Sequence, residues 1–216
     1  MRPIRFDSKL TSVGTTIFTV MSQRAAKHGA VNLGQGFPDF DCDPRLQQRL
    51  TDAMRAGHNQ YAPMIGVPAL REAIARKNQA LYGHQYDADT EITVTAGATQ
   101  ALMCAILALV NHGDEVIVLE PAYDSYVPAI VLAGGKPVFV PLDQARGYAP
   151  DWQRVREAIT ARTRLILINF PHNPTAAYCV MKILRRSSRS SSKQMCCSCR
   201  MKCTNTSCLT ANPIAH

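Results

Sequence analysis

The chain has 216 residues, 46% of them apolar, enough for one domain or for one domain and part of a second. It contains no run of 18 apolar residues, and the polar start over 1–11 lacks the apolar stretch of a secretory signal, so no membrane span is expected and a cytoplasmic location is the default. The net charge of +8 would suit nucleic acid or a membrane surface, but residues 1–176 hold 17 basic and 16 acidic side chains while 177–216 hold seven basic and no acidic ones, so neither partner is expected.

Cysteine divides at the same place. Cys42 and Cys104 precede it, and Cys179, Cys196, Cys197, Cys199, Cys203 and Cys208 follow it, as if two different sequences were joined near residue 176. Before that point the pattern predicts a helix over 11–28 that ends at Gly29, then the Gly/Pro-rich loop NLGQGFPDF. Helices are predicted over 45–56 and 67–82, the second with the apolar stripe Leu70, Ile74 and Leu81. EITVT (91–95) reads as a strand and TQALMCAILALV (99–110) as an apolar helix. EVIVLE (115–120) reads as a buried strand, and a helical stretch then closes at Gly134-Gly135. KPVFVPL (136–142) is a strand, DWQRVREAI (151–159) a helix and RLILIN (164–169) a strand. Strands alternating with helices predict an α/β layer fold with a mainly parallel sheet, and near-continuous apolar strands predict helices on both faces. Ligands of such sheets sit at the carboxyl ends of strands, which directs attention to 96–99, 120–124 and 169–175.

TAGATQAL follows a strand and opens a helix, an arrangement that offers free N–H groups and the positive end of the helix dipole to a phosphate. Gly97, Ala98 and Thr99 would form that cradle; the plainer alternative is a turn in which Thr99 caps the helix. Tyr123, in EPAYDSY, could stack on a flat ligand or simply pack. NFPHNPT sets Asn169 and Asn173 around two prolines, where an amide could donate to an oxyanion such as a pyridinol oxygen or could form an Asx-turn.

NLGQGFPDF, QYAPMIGVPALREAIA, TAGATQAL, EPAYDSY and INFPHNPT, in that order, resemble the class I/II aminotransferases of fold type I, in the branch that holds bacterial methionine and kynurenine-type enzymes. The resemblance covers about 3–176. It implies pyridoxal 5'-phosphate as cofactor, an amino acid (methionine or an aromatic one) and a 2-oxo acid as substrates, and a homodimer. It implies that the phosphate lies on Gly97, Ala98 and Thr99, and the pyridine ring on Tyr123. Asn173 would bond the phenolic oxygen, Tyr61 would reach the partner subunit's cofactor phosphate, and Gly36 would lie in the loop that meets the substrate carboxylate. Asn169 is expected to be structural. The family's NPTG reads Asn173-Pro174-Thr175-Ala176 here. The implied fold is an incomplete large domain over 46–176, preceded by an arm and small-domain segment over 1–45.

The family also needs an Asp at the pyridine nitrogen, a Tyr, the Schiff-base lysine and a carboxylate-binding Arg, all beyond NPTG. None occurs in the expected context, and Lys182, Lys193 and Lys202 sit in a Ser/Arg/Cys-rich stretch, so catalytic residues are expected to be lacking and this chain to be an inactive fragment. The other readings are a non-enzymatic truncated product and a C–S β-lyase on the same cofactor. CCSCRMKC does not have the paired spacing of a zinc site, so no metal is expected. Read two nucleotides later, codons allowed by Met195 to Ser207 can give Val-Leu-Phe-Val-Ser-Asp-Glu-Val-Tyr-Glu-His-Ile, which resembles the family's next strand and motif. Residues 177–216 are therefore expected to be an out-of-frame, disordered tail that ends at a chance stop, and the faces left bare by the shortened fold to favour aggregation.

Overall fold

A computed structural model describes residues 8–11, 13–36 and 40–178, together with the backbone of 197–201 and 210–213. The chain divides into two compact units, Thr15–Thr95 and a second that runs from Ala96 onward.

The first unit is helical. Helix α1 (Ile17–Lys27) starts at Thr16, whose side chain accepts the Thr19 N–H, and α2 (Pro44–Arg55) starts at Asp43, which accepts the Arg45 N–H behind a proline in the first turn. Helix α3 (Pro68–Tyr82) opens on a proline and ends at Gly83 in the left-handed conformation. The stripe predicted to be its buried face is not: Leu70 and Leu81 are exposed, and the buried residues of α3 are Arg71 and Asn78. Only Ile74 of the stripe is half-buried, whereas Arg71 is enclosed by its own bonds. Its Nε donates to the Gly66 carbonyl at 3.1 Å, and its terminal nitrogen donates to the Ala88 carbonyl and pairs with Asp89 at 3.0 Å. The Val94 N–H returns to Ile65 at 3.0 Å. Gly66 sits at φ +102, and a Cβ there would meet the Val94 side chain at 2.5 Å, so only glycine fits. The predicted strand at 91–95 does not form: among the described residues this segment has no paired strand, and β propensity is realised only against one.

The second unit is the α/β layer fold that the alternation predicts. Helix α4 (Gly97–Leu109), β1 (Glu115–Glu120), α5 (Tyr126–Leu132), β2 (Lys136–Pro141), α6 (Trp152–Glu157) and β3 (Thr163–Asn169) follow in chain order. Strand β1 pairs in parallel with β2 on one side and β3 on the other. Alternate residues feed two cores. Val116, Val118, Leu165 and Leu167 pack with α4 and α5 on one face; Ile117, Leu119, Ile166 and Ile168 pack with Val155 of α6 on the other. Each fully buried isoleucine or valine here contributes about 1.5–3 kcal/mol, which is why these strands read as unbroken apolar runs. At the amino ends of β1 and β3, the buried Glu115 accepts from the Thr160 hydroxyl at 2.6 Å and from the Arg162 guanidinium at 2.8 Å. These bonds, Thr160 first, hold its carboxyl below the usual range.

Within 177–216 the described backbone comprises two short strands. The backbone of β4 (Cys197–Met201) lies parallel beside β3, and β5 (Thr210–Pro213) runs antiparallel to β4, in the order β2-β1-β3-β4-β5. The free edge of β3 presents unpaired N–H and C=O groups that an extended segment can match whatever its side chains, a contribution that composition does not report.

Candidate functional site

The carboxyl ends of β1 and β3 and the start of α4 bring together most of the candidate residues. Helix α4 begins at Gly97, one turn earlier than a Thr99 cap would place it. Its cap residue is Ala96, which has no polar side chain to cap with and whose N–H donates to Gln100 Oε1 at 2.5 Å, and Thr99 lies exposed in the first turn, so the capping alternative does not hold. Gly97 has φ +77, and a Cβ there would meet nothing within 4 Å, which leaves open space over the helix start. Ala98 packs on the same core as Tyr123. The half-buried Tyr123 ring stands edge-on to Tyr126, with centroids 5.8 Å apart and planes at 76°.

The loop after β3 is built on bonds different from those its asparagines suggest. His172 Nδ1 and Thr175 Oγ1 are 2.8 Å apart, the Ala177 N–H reaches the same hydroxyl, and the Ala176 N–H donates to the His172 carbonyl at 2.7 Å. Thr175 therefore does the work of an Asx-turn, and the Asn173 carboxamide is left without a hydrogen bond among the described residues. Burial depresses the His172 pKa, which keeps the ring neutral near pH 7. Ala176, where the family pattern has glycine, holds φ 58. Asn169, at the carboxyl end of β3, is 3% exposed, and neither its Nδ2 nor its Oδ1 has a partner. Ser125 Oγ, at the start of α5, is likewise buried and unpaired. The sequence singles out Asn169 with Asn173 but expects it to be structural, and it gives no signal for Ser125.

Tyr61 and Gly36 belong to the first unit. Both are exposed, Tyr61 on the loop that ends at Gly66. Lys182, Lys193 and Lys202 and the side chains of the later cysteines lie outside the described residues. No described helix is long and apolar enough to cross a membrane. Among the described residues no three His, Cys, Asp or Glu side chains are grouped as a metal would need.

The family model for aminotransferase class I and II matches residues 28–186. The chain belongs to this family. It is similar to the methionine aminotransferase of Escherichia coli, with 56% identity over 174 residues, which is 81% of this chain and 45% of the relative. It is also similar to a probable N-succinyldiaminopimelate aminotransferase of Mycobacterium tuberculosis, with 49% identity over 79% of this chain and 43% of that one. A solved E. coli structure, described as having a methionine aminotransferase function, superposes with a TM-score of 0.87 at 49% identity over 92% of this chain and 52% of its own. The chain thus spans about half the length of the relatives it matches.

Aminotransferases of this family depend on pyridoxal phosphate, and the second unit has features that fit it. The start of α4, with no polar side chain at its cap residue, suits an anion, Tyr123 offers an aromatic face, and the buried Asn169 and Ser125 polar atoms have no hydrogen-bond partner among the described residues.

Proposed function

We propose that this chain is the N-terminal part of a pyridoxal-phosphate-dependent aminotransferase that moves an amino group from an amino acid, methionine or an aromatic one, to a 2-oxo acid, and that it is inactive by itself. The observation that carries this reading is the convergence of a helix start, a tyrosine ring and a loop amide on one edge of a parallel sheet. Its amino-donor class is drawn from the methionine aminotransferase it resembles.

When bound, the cofactor supplies the electron sink on which loss of a proton from the substrate carbon depends. The chain's own part is to bind and orient. The N–H groups of Gly97, Ala98 and Thr99, with the Thr99 hydroxyl, hold the phosphate at the positive end of α4. Tyr123 fixes the plane of the ring, and the Asn173 amide donates to the phenolic oxygen. Gly36 contributes to the substrate-carboxylate loop and Tyr61 to the partner subunit's phosphate site in a homodimer. Residues 1–45 are an arm and small-domain segment, 46–176 a partial large domain and 177–216 an out-of-frame tail. The fall in identity from 56% in the sequence match to 49% when superposition extends to 92% of the chain supports the last point. Coding DNA read past codon 176 in the second frame is expected to carry SDEVYEH.

The test is to treat the purified chain with pyridoxal phosphate and borohydride, weigh it, and assay methionine with a 2-oxo acid. Reversible binding, no stoichiometric reduced adduct on one lysine and no turnover are expected. A single-site adduct together with turnover would show that the chain holds its own catalytic lysine.

A further inference from the structure

Strand β3 alternates strictly between the two cores: Leu165 and Leu167 face α4 and α5, while Ile166 and Ile168 face α6. Asn169 continues the first series. Its side chain therefore belongs to the sheet face that carries α4 and Tyr123, at the carboxyl edge where β1 and β3 run side by side. Buried carboxamides are almost always bonded, because leaving a donor and an acceptor without water or protein is costly. Asn169 leaves both unbonded at 3% exposure. Ser125 Oγ is a second buried, unpaired group on an element of the same face. Two such groups at one strand-end edge indicate a place made for something polar that arrives from outside.

We propose that Asn169 is a ligand-facing residue whose carboxamide bonds the polar ring end of the cofactor. The inference rests on the reading of function given above and assigns a role to a residue expected to be structural. The chemistry selects the ring end. Phosphate presents acceptors, so it would satisfy Nδ2 and leave Oδ1 bare, whereas a group that both donates and accepts satisfies the whole amide. On the functional reading above, the anion takes the start of α4.

The experiment compares the full chain with N169L, in which an apolar side chain of similar shape replaces an unpaired amide. Thermal unfolding without ligand is expected to be unchanged or higher in N169L, since nothing is broken. Pyridoxal phosphate should bind N169L at least tenfold more weakly, while inorganic phosphate binds both proteins alike. The NMR signal of the Asn169 side-chain amide in the unsubstituted chain, assigned by its loss in N169D should N169L fail to fold, is expected to move with pyridoxal phosphate and to stay still with inorganic phosphate. A lower unfolding temperature for N169L, an unmoved amide signal or equal pyridoxal phosphate affinity would each overturn the assignment. Equal affinity in the two proteins leaves the functional reading intact, whereas no binding to the unsubstituted chain removes both.

Discussion

Ala176 holds a left-handed backbone at φ 58, a conformation that presses Cβ against the neighbouring carbonyl. Glycine has no such penalty, so Ala176→Gly is expected to stabilise the second unit by roughly 1 kcal/mol, after allowance for glycine's greater freedom in the unfolded chain. Denaturant unfolding monitored at Trp152 measures it. Four residues earlier, His172 is kept neutral by burial, so the folded chain binds a proton less readily than the unfolded one. The contribution of this residue is therefore complete above about pH 6.5 and is lost as pH falls through the depressed folded value. Unfolding temperatures at pH 7.5 and 5.5 should diverge more in the natural chain than in His172→Gln; equal divergence would remove His172 as the cause.

Helix α4 has no acidic residue in its first turn and no side-chain cap. An acid there would satisfy the helix dipole as well as a phosphate does. Thr99→Asp, at the exposed position of that turn, is accordingly expected to leave thermal stability equal or slightly higher while weakening pyridoxal phosphate binding at least tenfold; unchanged binding would show that the phosphate sits elsewhere. At this scale the sequence was most readable where burial is two-sided. β1, β2 and β3 fall within one residue of the expected bounds because both faces of the sheet are covered. It was least readable where a segment depends on a neighbour. EITVT has β-rich composition but no paired strand among the described residues, the α3 stripe is covered only at Ile74, and β4 takes its place from the edge of β3. The site divides likewise: motif order singles out Gly97, Tyr123 and Asn173 as candidates, but the unpaired amide of Asn169 emerges only from the packing around it.

At the scale of the whole chain, many large apolar side chains of the described residues are exposed, and the chain spans about half the length of its relatives. Along α2, Leu46 is 64% exposed, Leu50 62% and Met54 50%, one stripe at helical spacing. Replacing all three with glutamine is expected to reduce self-association in light scattering without loss of helical circular dichroism, because the stripe touches little that the change would disturb. The central claim is that this half chain already carries the phosphate and ring seats of an aminotransferase cofactor site. Its most direct test is a fluorescence titration of the folded chain with pyridoxal phosphate, repeated in the presence of inorganic phosphate. The account predicts saturable binding that inorganic phosphate displaces, and its contradiction is a folded chain that shows no saturable binding at all.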